Sequence, residues 1–321
     1  MTRAHPAHRG RQPAAERGRP VDAEAARAEA AKADAVVASG DELGVLHGVP
    51  FTVKDWIETA GVVCAAGYEE RRNHVPKRDA TVVARMRAAG AILLGKTNVV
   101  EGGAVLPRPA NPYDLTRTQG SSTSGECAII AAGGSPLGIA SDSGGSIRWP
   151  AHCCGVAGLK PTTGRVPSTG HFPRITALAD SRTQIGPIAR SVDDLALALR
   201  IIGGPDGQDA SVVPTPLGDP TEVGIRSLRV AWYAGMPGAS PSRETVDVVR
   251  KVSSVLRDVC ASVEEALPPR IEEALGITQA YWKRVDSLSL NEWTPHRPSV
   301  LTADEIEQSI FEWDRFRRTM T

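Results

Sequence analysis

Two short apolar runs on either side of a helix-like segment leave this chain few folds to choose from. VLHGVPFTVKD, Val45 to Asp55, has the β-branched and aromatic content of a buried strand. Asp79 is placed to cap a helix through Val82, Met86 and Ala89 that stops at Gly90, and AILLGKTN follows as a second buried strand. This β-α-β order belongs to the α/β class, in which helices cover a sheet. The first strand ends in a lysine, Lys54, and a charge at the end of an apolar strand needs a chemical reason.

Elsewhere the chain alternates helices with turns. Val21 to Ser39 reads as an alanine-rich helix ending at Gly40, and Glu126 to Ala132 as a helix between two serine-glycine turns. SVDDLALALRIIGG opens on Ser191 as cap, places Leu195, Leu199 and Ile202 on one face, and closes at glycine. SLRVAWYA reads as a strand and VDVVRKVSSVLRDV as a helix with Val249, Val252 and Leu256 on one side. LTADEIEQSIFEWDRFRR has a capping box at Thr302 and Glu305 and a stripe of Ile306, Ile310 and Trp313. The stretch from Gly203 to Gly224, rich in Pro, Gly and Asp, reads as a linker.

Composition narrows the function classes. The 321 residues, 41% hydrophobic, suffice for one large α/β core or two smaller domains without covalent staples. Lys plus Arg and Asp plus Glu both number 37, so no overall charge selects nucleic acid or an anionic membrane as a partner. A small uncharged substrate fits better. The five cysteines (Cys64, Cys127, Cys153, Cys154, Cys260) are scattered without zinc-ligand spacing and read as reduced core residues of a cytoplasmic protein. No run reaches the ~20 apolar residues of a membrane span. The first twenty residues hold five arginines, three prolines and no apolar core for a signal peptide, and read as a disordered leader, with a transit peptide as the alternative.

Three features carry chemistry. Lys54 ends a buried strand, Ser121, Ser122, Thr123 and Ser124 form one turn, and DSGGS forms a second turn ending at Ser146. Serine is a weak nucleophile without a base, and a lysine serves as base only when neutral, which burial favours. The spacing allows a relay in which Lys54 takes a proton from an intermediary serine and that serine takes one from the nucleophile. Backbone amides of Ser143, Gly144, Gly145 and Ser146 are placed to converge on an oxyanion. Asp142 reads as a structural acceptor and Arg148 as a brace for the turn, with a third catalytic role for the one and carboxylate binding for the other as alternatives. His47 and His152 raise a Ser-His mechanism that their positions disfavour.

GVPFTVKD, the GSSTSGE turn, GGSPLGIASDSGGSIRWPAHCCGVAGLKPT and IGPIARSVDDLALAL together resemble the amidase signature family, over about Leu46 to Gly207. The resemblance implies an amidase signature fold, a mixed β-sheet covered by helices on both faces, here apparently truncated at both ends. It implies a Ser-Ser-Lys triad with Ser146 as nucleophile, Lys54 as base and Ser122 as the serine joined to its neighbour through a cis peptide, Ser121 being the fallback. Two glycines of the family's Gly-Gly-Ser-Ser-Gly-Gly turn stand as Ser121 and Ser124 here, and the Asn98 to Asn111 stretch is shorter.

The implied activity is hydrolysis of a carboxamide, or of an ester or aryl or acyl amide, through an acyl-enzyme, with no cofactor or metal. The alternatives are the ammonia-producing component of a glutamyl-tRNA amidotransferase and a catalytically impaired homologue with a binding role. The expected organisation is a partly disordered leader and alanine-rich helix over 1–40 and an amidase domain over 41–321. Within that domain the signature core spans about 46–207 and a smaller portion about 225–321. A small-molecule amide is the expected partner, with neither nucleic acid nor membrane, and a homo-oligomer is compatible with the reading.

Overall fold

The computed structural model describes residues 23–99, 109–175, 182–238 and 240–280. The leader, most of the Asn98 to Asn111 stretch and the Thr302 to Trp313 helix expected from sequence lie outside the described residues. The chain divides into two compact units between Thr215 and Pro216.

In the first unit, α1 (Ala23–Ser39) is followed by β1 (Pro50–Lys54), α2 (Thr81–Ala88) and β2 (Ile92–Thr97). Next come α3 (Ser124–Ala131), β3 (Leu137–Asp142), α4 (Arg148–Cys154), β4 (Ala157–Gly158), β5 (Gln184–Ala189) and α5 (Val192–Ile202). The strand order is β2-β1-β3-β5-β4. β1 runs parallel to both β2 and β3, whereas β5 is antiparallel to β3 and to β4, so the sheet is mixed.

Alternation along the strands sends successive side chains to opposite faces. On one face Phe51, Val53, Ile139 and Ile185 pack with Val82, Val83 and Met86 of α2 and with Leu195, Ala198 and Ile202 of α5. On the other, Ala140 and Ile188 meet Cys127 and Ile130 of α3 and Ile147, Ala151 and Cys154 around α4. Helices therefore cover both faces. Because Phe51 and Val53 face α2, their neighbours Thr52 and Lys54 face α3, and this places a lysine in the interior.

Several local expectations are revised. The strand begins at Pro50, because Leu46 and His47 are spent in turns closed by His47 N–H to Gly44 O and Val49 N–H to Leu46 O. Asp79 does not cap α2. Ala80 occupies the cap position without a side-chain bond, while Asp79 Oδ1 accepts from the Ala60 amide at 2.7 Å and Oδ2 pairs with Arg87. Ser191 does cap α5, accepting from Asp194 N–H at 3.1 Å. Its hydroxyl also donates to the Asp194 carboxylate, and the glycines beyond Ile202 end the helix.

In the second unit β6 (Arg229–Trp232) and β7 (Ser262–Glu265) pair in parallel, connected through α6 (Arg243–Arg257). Ser242 caps α6 by accepting from Thr245 N–H. Val249 and Leu256 of α6 are half-buried and Ser253 is buried, but Val252 is exposed, so the covered stripe runs through Ser253 instead of Val252.

Candidate active site

The parallel β1 and β3 end on the same edge of the sheet, where Lys54, Ser122 and Thr123 meet the Ser141 carbonyl and the turn to Ser146 begins. Lys54, last in β1, is fully buried and its Nζ donates to Ser122 Oγ at 2.8 Å and to the Ser141 carbonyl at 3.4 Å. The same nitrogen stands 4.2 Å from the centre of the Trp56 ring. Ser122 is buried in the turn that feeds α3, and Thr123 Oγ1 donates to the Ser141 carbonyl. The one cis peptide bond among the described residues joins Phe172 to Pro173, so the cis linkage expected at Ser122 is not seen.

Ser146 ends the turn after β3, next to the start of α4, and is half-buried. Among the described residues no hydrogen bond of its hydroxyl is found. The turn is held by Asp142. Its Oδ1 accepts from Gly145 N–H at 2.8 Å and its Oδ2 from the amides of Ile147 and Arg148 at 3.1 and 3.2 Å. The Arg148 guanidinium adds two further bonds at 2.9 Å. Burial alone would raise the Asp142 carboxyl, but the guanidinium and the amides overcome it and hold the pKa at about 2. Gly145 has φ of 114°, a conformation glycine adopts without a Cβ penalty.

The structural reading of Asp142 and the bracing reading of Arg148 both match this geometry. One part of the oxyanion expectation is corrected. The Gly145 amide, expected among the oxyanion donors, donates instead to Asp142.

Several residues of the site were not singled out from sequence. Glu126 is fully buried in α3 and accepts from Thr97 Oγ1 at 2.6 Å and from Thr52 Oγ1. Desolvation pushes its carboxyl up to about 7, against the opposing effect of the two threonines and of Lys96 and Lys54. Lys96 is also buried and donates to the Ile57 carbonyl and to Thr59 Oγ1. His171, buried, donates from Nδ1 to the Pro173 carbonyl at 2.8 Å, leaving Nε2 to pair with Ser141 Oγ at 2.8 Å. A charged residue inside the small, apolar SGECAIIA helix was the available signal for Glu126. Nothing in the sequence marked His171.

The histidines that sequence did raise lie elsewhere. His47 Nε2 bonds to the Ala33 carbonyl, and His152 is exposed rather than within the core. The cysteines are all unpaired. Cys64, Cys127 and Cys154 are buried as expected, but Cys153 and Cys260 are only half-buried. Among the described residues no group of His, Cys, Asp or Glu has the clustering to hold a metal ion, and no helix is long and apolar enough to cross a membrane.

A sequence model of the amidase family matches residues 15–320. A glutamyl-tRNA(Gln) amidotransferase component from Roseiflexus sp. (strain RS-1) is 41% identical over 267 residues, 80% of this chain and 54% of that protein. The peptide amidase of Stenotrophomonas maltophilia superposes with a TM-score of 0.69 at 30% identity, covering 81% of this chain and 55% of that one. A protein from a vestigial complex that reveals the origins of an s-triazine catabolic enzyme superposes with a TM-score of 0.75 at 31% identity, covering 93% of this chain and 67% of its own. The chain belongs to the amidase family, and its architecture is the amidase signature fold. It spans about half the length of the curated relatives it matches.

Proposed function

We propose that this chain carries the catalytic centre of a serine amidase acting on a small carboxamide. The observation that carries the reading is the 2.8 Å contact between Lys54 Nζ and Ser122 Oγ in a fully buried setting, at the sheet edge where the Asp142-braced turn ends in Ser146. Burial disfavours the ammonium form of a lysine, and a neutral amine is the form that accepts a proton. In the proposed reaction Ser146 Oγ forms a bond to the carbonyl carbon as its proton passes to Ser122, whose own proton passes to Lys54. The carbonyl oxygen takes up the negative charge against the amides of Ser143, Gly144 and Ser146. Collapse breaks the C–N bond, the proton returns through Ser122 to the leaving amine, and water releases the acid from Ser146 by the same relay.

A second reading has an observation of its own, the 41% identity to a component of glutamyl-tRNA(Gln) amidotransferase. In it the same residues release ammonia from a glutamine side chain, and the nitrogen is passed on in an assembly. Comparing glutamine with simple aliphatic and aryl carboxamides as substrates separates the two readings.

The test of the centre itself is intact-mass spectrometry after exposure to a fluorophosphonate, with the labelled peptide sequenced. A single adduct on Ser146, absent from Ser146→Ala, is the expected result. An adduct on Ser122, Ser121 or Cys153 overturns the assignment, and no adduct at all favours a non-catalytic binding role.

A further inference from the structure

Glu126 is a buried acid that the relay does not use. It stands in α3, four residues after Ser122, and its two oxygens reach both strands that flank the site's lysines. Oε1 accepts from Thr52, two residues before Lys54 on the same face of β1, and Oε2 accepts from Thr97, next to Lys96 in β2. The neighbouring strand makes room for the carboxyl with a glycine, since a Cβ on Gly138 of β3 would overlap Glu126 Oε1. A carboxyl buried this completely would be costly if it were idle.

We propose that Glu126 is a positioning residue for the reaction, tying β1 and β2 to α3 and governing by its charge how readily Lys54 gives up its proton. The inference rests on the serine-amidase reading above. A carboxylate near an amine favours the ammonium, so an ionised Glu126 makes Lys54 a base that is free only at higher pH. Burial raises the Glu126 carboxyl to about 7, and the Lys54 charge is among those that act against that rise.

The Lys96 charge of β2 also acts on Glu126, and Cys127, next in α3, has its thiol driven well above the usual range by burial. Cys153 and Cys154 of α4 add to that rise. On β3 a Cβ at Gly138 would meet Glu126, and Asp142 ends the same strand; Asp55 follows Lys54, whose nitrogen meets the Ser141 carbonyl and the Trp56 ring, and His171 bonds Ser141.

The experiment follows the rate of fluorophosphonate inactivation against pH for the full chain, for Glu126→Gln, Thr97→Val and Lys54→Ala, with melting curves of each. Glu126→Gln should move the acidic limb about one pH unit lower while keeping the alkaline plateau within about threefold. Thr97→Val removes one bond to the carboxylate, keeps Glu126 neutral to higher pH, and should move the limb part of the way in the same direction. If Glu126→Gln fails to fold, the shift in Thr97→Val decides the matter. Rates lowered equally at every pH, with no shift in either variant, reduce Glu126 to a structural residue and overturn the proposal. If Lys54→Ala keeps the limb, the lysine-base reading falls and takes this inference with it, whereas a limb lost in Lys54→Ala but unmoved in the other two rejects the role of Glu126 alone.

Discussion

Asp142 and Arg148 form a two-point ion pair, Nε to Oδ2 and Nη2 to Oδ1, both at 2.9 Å. The same carboxylate accepts three backbone amides of the turn that ends in Ser146 and enters α4. One buried side chain thus determines where the candidate nucleophile stands. The pair itself is half open to solvent, with the Arg148 side chain 57% exposed, so the amide bonds contribute more to holding the turn than the guanidinium does.

Replacing Asp142 with Asn should therefore loosen the turn. Hydrogen bonds to a charged group are worth about 1.5–3 kcal/mol, and an amide presents a donor where two amides now point. A fall in melting temperature of roughly 4–8 °C and at least a tenfold loss of fluorophosphonate reactivity at Ser146 are expected. The carboxyl is held at about 2, below its unfolded value near 3.8, so its contribution is present above about pH 4 and disappears as pH falls toward 2. Acid melts of the native chain should show that loss, and those of Asp142→Asn should lack it.

Lys54 is open to a direct kinetic test. If its neutral amine is the base, kcat/KM rises with pH as the ammonium is lost, and Lys54→Ala should lower activity about 10²- to 10⁴-fold and abolish the rise. Lys54→Arg should not restore it, since guanidinium stays protonated across the accessible range. A near-native rate for Lys54→Arg would remove Lys54 from the mechanism.

Gly138→Ala should destabilise the first unit sharply, because the new methyl would overlap Glu126 Oε1 and stand only 2.6 Å from its Cδ. Overpacking typically costs about 1–3 kcal/mol, and a buried carboxyl has little room to retreat. Gly218→Ala is the control: nothing lies within 4 Å of a Cβ there, and its melting curve should match that of the native chain.

Ser124 offers the opposite sign. Its hydroxyl is buried at the start of α3 and has no hydrogen-bond partner among the described residues. Ser124→Ala removes an unsatisfied polar group and introduces the better helix former, so stability should rise by about 1 kcal/mol. An unchanged or lower melting temperature would show that the hydroxyl does have a partner in solution.

Glu126 should leave a signature in stability as well as in rate. The unfolded chain loses this proton near pH 4.5 and the folded chain near 7, so between those values the native state binds more protons and stability falls as pH rises. The loss is on the order of 3 kcal/mol and complete above about pH 7. Glu126→Gln should flatten the slope in that window, and a native chain equally stable at pH 5 and pH 7.5 would contradict the raised ionisation.

The periodic parts and the local turns were legible in the amino-acid order. The two apolar runs around the Val82 and Met86 helix pointed to a helix-covered sheet, the Ser191 cap followed from the chemistry of one hydroxyl, and the glycine-serine turns drew attention to Ser122 and to the turn ending in Ser146. These are local properties, readable wherever neighbours in sequence decide the conformation. Where several local outcomes were equally good, sequence failed: Asp79 is a sound cap by position, yet it serves the Ala60 amide instead, and Val252 continues a helical stripe but faces solvent. Long-range contacts came only with the assembled fold. It set Lys54 against Ser122, 68 residues away, and Glu126 against Thr52, 74 residues away, and it brought in His171, which no pattern announced. It also turned the Gly145 amide onto Asp142. One cause underlies all of these: a buried polar group must find its partner in space, and which partner it finds depends on how strands and helices from distant parts of the chain meet at one edge of the sheet.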